Sequence, residues 1–287
     1  MFLLVAPGKI KLDASIESEQ ELERINLILD RIIHDRKVIS IYLTGIEKLI
    51  QYDASLTIID KIVKAHIGVE VYIEPEKIEL SSYQALLEKC DFVNLNITSG
   101  NAKILTENEL DKYNAVVRLI FYVNKNNFAV LEEKEKYFYA YRDKFSEIYV
   151  KPDFNQKLEG EQVQEFVEYM EDISIDIIEM SVDYSEDYSV VYVDESDSIR
   201  NMLHDKMISS DYYVDKNGDV FISEYVHVKC GNIISEDLVL IWDKIRMFWH
   251  MAQVKKYFKD FNSLIEWNKY SCLATNVALE EILSYEI

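Results

Sequence analysis

Between Glu19 and Arg36 the chain places Leu22, Ile25, Ile28, Leu29, Ile32 and Ile33 at three- and four-residue spacings with charges in between, which predicts an amphipathic helix. The apolar run Val38 to Leu43 follows and reads as a buried strand. The alternation then repeats: helix Ser55 to Ala65, strand Val69 to Ile73, helix Ser81 to Lys89, strand Phe92 to Ile97, helix Glu107 to Tyr113 and strand Val116 to Tyr122, continuing to about Lys151. Ahead of the first helix, Met1 to Leu12 reads as a strand, with Pro7 and Gly8 breaking its apolar start. Right-handed crossovers turn such a series into a partial or complete β/α barrel or an open doubly wound sheet, so the expected class is α/β.

From Phe154 the texture changes. Val163 to Met170 has helical spacing and Ser174 to Val182 is strand-like, after which Asp183 to Ser198 gathers six carboxylates among tyrosines and valines. A cation or basic-peptide site is one reading of that stretch. The other is a solvated edge or loop, favoured because no regular ligand spacing occurs. Tyr212 to Tyr225 reads as a hairpin closed by the turn Asp215-Lys216-Asn217-Gly218, and a helical C-terminal part follows. Two regions are expected, 1–205 and 206–287.

Composition narrows the function classes. Of 287 residues, 49% are apolar and 29% charged, which is a folding composition. The formal net charge of −21 repels phosphate backbones and anionic membrane surfaces, so nucleic acid and membranes are poor partners and basic peptides or protein faces better ones. No run reaches the roughly 18 apolar residues that cross a bilayer. The first residues carry no basic leader and no small-residue cleavage site, and the three cysteines Cys90, Cys230 and Cys272 are an odd, widely spaced set. A cytoplasmic, reducing location is expected.

Two segments resemble a known family. The strand ending in Leu43-Thr44-Gly45-Ile46-Glu47-Lys48-Leu49, then Gly68 to Ile73, then Phe92 to Ile97, is similar to the barrel of radical SAM enzymes, where a strand ends in a Gly-Gly-Glu-Pro-Leu turn. Gly45, Glu47 and Leu49 keep that pattern, whereas Ile46 and Lys48 depart from it. Further on, Val214 to Ser223, then Cys230-Gly231-Asn232-Ile233, then Leu238 to Trp242, is similar to the SPASM tail of peptide-modifying members, with Ile222-Ser223 in place of a Pro-Cys pair. The resemblance implies a β/α barrel of the radical SAM type with a small hairpin-plus-helix extension. It also implies a turn in which Gly45 and Glu47 face S-adenosylmethionine.

Cysteine count then sets the expected function. The family's four-iron cluster needs three closely spaced thiolates after the first strand, and no cysteine precedes Cys90. The expectation is therefore a pseudo-radical-SAM protein without cofactor or catalytic residues. It would serve as a scaffold or binding partner in ribosomal peptide maturation, holding the precursor peptide or an active radical SAM enzyme. The alternative is a cluster-free enzyme that still binds S-adenosylmethionine through Gly45 and Glu47.

Other chemistry has little support. Gly-rich phosphate loops and Gly-x-Ser-x-Gly are absent. The histidines His34, His66, His204, His227 and His250 read as helix-end surface residues. His227 and Cys230 have His-x-x-Cys spacing, and His250 with Cys272 would complete a tetrahedral zinc site, although the four do not form two tight ligand pairs. Trp242, Phe248 and Trp249 make a bulky helix that either packs as core or presents anchors to a partner. The candidate partner-binding residues are Tyr212, Phe221, Trp242 and Trp249, and the candidate edge for peptide addition is the hairpin itself.

Overall fold

The computed structural model describes residues 8–35, 38–77, 80–97, 115–123, 147–152, 189–192, 211–222 and 228–257. The chain divides into two compact units, one comprising residues up to Val71 together with those from Ser196 onward, the other Tyr72–Glu195. Both combine strands and helices, so the chain has the mixed α/β class expected. Among the described residues no helix is long and apolar enough to cross a membrane.

The first unit begins with β1 (Lys9–Asp13), α1 (Glu19–Asp35), β2 (Ser40–Thr44), α2 (Ile46–Gln51), α3 (Ser55–Lys64) and β3 (Gly68–Ile73), whose last two residues belong to the other unit. It is completed by β8 (Asp211–Val214), β9 (Asp219–Phe221), β10 (Lys229–Asn232), α5 (Leu238–Phe248) and α6 (Ala252–Tyr257). β1 pairs in parallel with β2, β2 with β3, and β1 on its other side with β8. β8, β9 and β10 then run antiparallel, giving the order β10-β9-β8-β1-β2-β3. The hairpin predicted around Gly218 is therefore sewn to the first strand by a parallel ladder that joins segments about 200 residues apart.

Alternation fixes which side of this sheet is sealed. Ile10, Leu12, Ile41, Leu43, Val69, Val71 and Val214 are fully buried, and Tyr212 nearly so. The crossovers from β1 to β2 and from β2 to β3 move in the same direction, so right-handedness puts α1 and α3 on one face. These helices bury Ile25, Ile28, Leu29 and Ile32, and Ile58, Ile59 and Ile62. Each such side chain is worth about 1.5–3 kcal/mol on burial. Helix α5 joins that face, since its Trp242 ring lies 5.9 Å from Tyr212. Asp237 starts α5 by accepting hydrogen bonds from the Val239 and Leu240 amides at 2.7 and 3.4 Å.

The hairpin turn is tied to α1 by polar contacts. Arg24 donates to Asn217 Oδ1 at 2.6 Å and Lys216 lies 3.0 Å from Glu21. The amide of Glu17 and then Lys216 hold the Glu21 carboxyl below its usual range. Gly218, at φ 83°, supplies the left-handed residue of the turn, and the Asp215 carboxylate accepts from the Asn217 and Asp219 amides.

The second unit contributes α4 (Ser81–Leu87), β4 (Phe92–Ile97), β5 (Val116–Val123), β6 (Glu147–Pro152) and β7 (Ser189–Tyr192). Its four strands pair in parallel in sequence order. β7 falls within the acidic stretch Asp183 to Ser198, so part of that stretch is a strand. The helices expected at Glu107 to Tyr113 and Val163 to Met170, and the strand at Ser174 to Val182, lie outside the described residues.

Candidate functional site: the polar face of the first sheet

A parallel sheet covered on both faces by helices reads as unbroken apolar runs. This one does not. β1 is Lys-Ile-Lys-Leu-Asp, β2 Ser-Ile-Tyr-Leu-Thr and β3 Gly-Val-Glu-Val-Tyr-Ile, so every second side chain on the face away from the helices is polar. The register aligns them. Phe221 pairs with Tyr213, Tyr213 is opposite Lys11, Lys11 opposite Tyr42, and Tyr42 opposite Glu70, one row across β9, β8, β1, β2 and β3.

The row is held together electrostatically. Lys9 lies 2.6 Å from Glu70, a carboxylate only 5% exposed, so the buried anion has its counter-charge. Both ammonium groups sit over the Tyr42 ring, Lys9 at 5.6 Å and Lys11 at 5.0 Å from its centroid. The Tyr213 and Phe221 rings are tilted against each other with centroids 6.1 Å apart. Lys11, Tyr42, Tyr213 and Phe221 are half-buried, in contrast to the zero exposure of their neighbours on the helix side. The second unit has its own polar alternation, with Asn94 buried opposite Arg118 in register and the Arg118 guanidinium 3.9 Å over the Phe92 ring.

At the end of the same strands lies the Gly45 turn. Gly45 has φ 70°, in the left-handed region, and precedes α2, which buries Ile46 and Leu49. The chain leaving β1 closes directly over it. The Ala14 amide donates to the Thr44 carbonyl at 2.9 Å, and a Cβ added at Gly45 would stand 2.6 Å from the Ser15 nitrogen. Ser15 is itself pinned, its amide donating to Asp13 Oδ1 at 2.9 Å and its hydroxyl at 2.5 Å. The glycine is thus needed for the close approach of the chain's own backbone at Ser15. Glu47, partly buried in the first turn of α2, is the other turn residue singled out by the resemblance.

Three of the residues expected to contact a partner are core. Tyr212, Trp242 and Trp249 are 2%, 0% and 3% exposed, because β8 turns Tyr212 toward the helices and α5 packs Trp242 against it. Trp249 meets Phe248 edge-on at 5.0 Å. Phe221 faces the other way and joins the polar row. The hairpin is not an edge either: β8 and β9 have partners on both sides, and the outer strand in the described order is β10, four residues long, with a register shift between Lys229 and Gly231. Such a short, irregular strand is a poor template for peptide addition.

Of the four residues weighed for zinc, His227 and Cys272 lie outside the described residues. His250 is exposed after α5, and Cys230 is on β10, its thiol donating to the Val228 carbonyl at 3.7 Å. Burial pushes the Cys90 and Cys230 thiols up to about 12, which disfavours the thiolate that metals and iron–sulfur clusters require. Among the described residues no group of three or more His, Cys, Asp or Glu side chains is placed to hold a metal. His34 and His66 are exposed at helix ends, as expected, and His204 lies outside the described residues.

No protein-family model matches the chain, and no curated protein matches it. Among solved structures, thiamine phosphate pyrophosphorylase from Pyrococcus furiosus is similar over 86% of this chain and 98% of that chain, at 10% sequence identity and a TM-score of 0.36. A likeness at that level carries no inference about the function of this chain.

The polar row was overlooked in reading the strands as buried runs. Its signal was the period-two alternation of charged and aromatic residues in segments too regular to be loops.

Proposed function

We propose that this chain is a non-catalytic, degenerate relative of radical SAM proteins, with a β/α barrel of that type and a SPASM-like C-terminal region, and that it works by binding. Its partner in this reading is a precursor peptide of ribosomal peptide maturation or the active enzyme that modifies it. The observation that carries the reading is the Gly45 turn. It keeps a glycine of the family's turn, yet the chain's own Ser15 backbone lies against it, and the stretch Ala6 to Ser18, where the family's cysteine triad would be expected, holds no cysteine. The two described thiols support it further, since burial disfavours their ionised form.

The revised contact surface follows from burial. Phe221 and Tyr213, half-buried on the polar face, are the side chains offered to a partner, while Tyr212, Trp242 and Trp249 maintain the fold. The net charge of −21 steers basic partners, an effect screened beyond a Debye length of about 8 Å at physiological salt. The test is co-purification with a cysteine-complete radical SAM enzyme and a precursor peptide encoded beside it. A stable complex that weakens as salt rises and is lost in Tyr213→Ala supports the reading. A protein that stays monomeric with both partners present at low salt contradicts it.

A further inference from the structure

The chain contains a single Asn-Gly pair, Asn217-Gly218, and it lies in the turn between β8 and β9. Backbone geometry demands the glycine: at φ 83° it takes the left-handed conformation of the turn, and a Cβ there would stand 3.1 Å from the Ile234 side chain. A glycine also leaves the peptide nitrogen after Asn217 unshielded, which is the chemical condition for an asparagine to cyclise onto its own backbone. The Gly218 nitrogen, losing its proton to water, bonds to Asn217 Cγ; the Cγ–Nδ2 bond breaks and ammonia leaves. Water then opens the succinimide at one carbonyl to give aspartate or at the other to give isoaspartate. Water is the only co-reactant, and Asn217 is exposed to it.

In the folded turn every group needed for that closure is held by another partner. The Gly218 amide donates to the Asp215 carbonyl at 2.9 Å, Asn217 Oδ1 accepts from Arg24 of α1 at 2.6 Å, and Asn217 Nδ2 donates to Asp215 Oδ2 at 3.3 Å. Lys216, 3.0 Å from Glu21, ties the turn to the same helix a second time. We infer that Asn217-Gly218 is a self-modification site kept latent by docking of the hairpin turn on α1, with Arg24 as the positioning residue. The side chain turns toward the Gly218 nitrogen only when the turn opens. Modification then bars the turn from closing again as before. Aspartate at this position replaces the Nδ2 hydrogen bond to Asp215 with facing carboxylates. Isoaspartate routes the main chain through Cγ, and the added methylene disrupts a turn whose Gly218 carbonyl also accepts from the Ile233 amide at 2.8 Å. The inference stands on the turn's own hydrogen bonds and does not depend on the radical SAM resemblance.

The experiment incubates the whole chain at neutral pH, folded and in denaturant, and follows conversion at Asn217 by peptide mass spectrometry, with isoaspartate and aspartate peptides separated chromatographically. In the unfolded chain Asn217 should convert ahead of every other asparagine, and folding should slow it by about tenfold or more. Arg24→Leu should speed conversion in the folded chain by about fivefold, the opening allowed by loss of one charge-assisted contact. Its unfolding midpoint should stay unchanged, because so exposed a contact adds little to global stability, whereas a merely destabilising substitution would lower the midpoint as well. Equal rates in the folded and unfolded chain would overturn the inference, as would no preference for Asn217 in the unfolded chain. A slower rate in Arg24→Leu would overturn it too, by showing that the guanidinium activates the side-chain carbonyl and does not restrain it. Should Arg24→Leu fail to fold, the comparison of folded and unfolded states of the unaltered chain still decides.

Discussion

The two faces of one sheet divide the tasks of this molecule. On the helix side, Ile10, Leu12, Ile41, Leu43, Val69, Val71 and Val214 meet α1, α3 and α5 with no exposure at all. On the other, Lys9, Lys11, Tyr42, Tyr213 and Phe221 stay partly open and are organised by ion pairing and ring contacts. Removing water from apolar surface stabilises without direction, whereas charges and rings in register are directional and cost stability unless paired. Substitutions should therefore affect folding on the first face and recognition on the second.

The largest expected break is Trp242→Ala. A fully buried indole packed 5.9 Å from Tyr212 leaves a cavity on truncation, and the loss should be about 3–5 kcal/mol by denaturant unfolding. Tyr213→Ala, one residue from Tyr212 but on the opposite face, should cost no more than about 1 kcal/mol. If the two variants unfold at the same midpoint, the division between faces fails. Gly45→Ala comes next, at about 1–3 kcal/mol, because it combines a left-handed backbone with a Cβ only 2.6 Å from Ser15. Asp237→Ala removes the α5 cap and should cost about 1 kcal/mol, with Asp237→Asn retaining most of the stability.

Much of the sealed face was legible in the sequence. The helix spacing ending at Ile32 and the strand Val69 to Ile73 were visible because burial of one stripe imposes a period that the sequence displays. The hairpin was visible because Asn217-Gly218 is turn chemistry. The placement of that hairpin was not: pairing β8 with β1 joins residues 200 positions apart, and no local signal encodes it. The choice between core and partner surface for Tyr212, Trp242 and Trp249 was open in the sequence for the same reason. Large aromatic residues serve cores and interfaces equally well, and only the neighbour across the sheet determines which face a strand residue occupies.

Smaller effects sharpen the comparison. Glu236 lies below its ordinary value of 4.5 because Lys244 and the Asn232 amide bond its carboxylate. A lowered folded-state value contributes stability that is complete above the unfolded carboxylate range and is lost as pH falls through the folded value. Glu236→Gln should therefore flatten the acid limb of the stability profile below about pH 4.5 and barely alter it at pH 7. The group is partly exposed, so solvent screening keeps the effect small. With thiols pushed up to about 12, Cys90 and Cys230 should resist iodoacetamide at pH 8 in the folded chain and react after unfolding, read by peptide mass spectrometry.

That chemical inertness leads to the central claim, that the chain binds and does not carry iron–sulfur chemistry. Anaerobic purification with iron and sulfide supplied, followed by iron quantification and absorption spectroscopy, tests it most directly. The account predicts a colourless protein without stoichiometric iron. A thiolate-to-iron absorption band with ~4 irons per chain would contradict it.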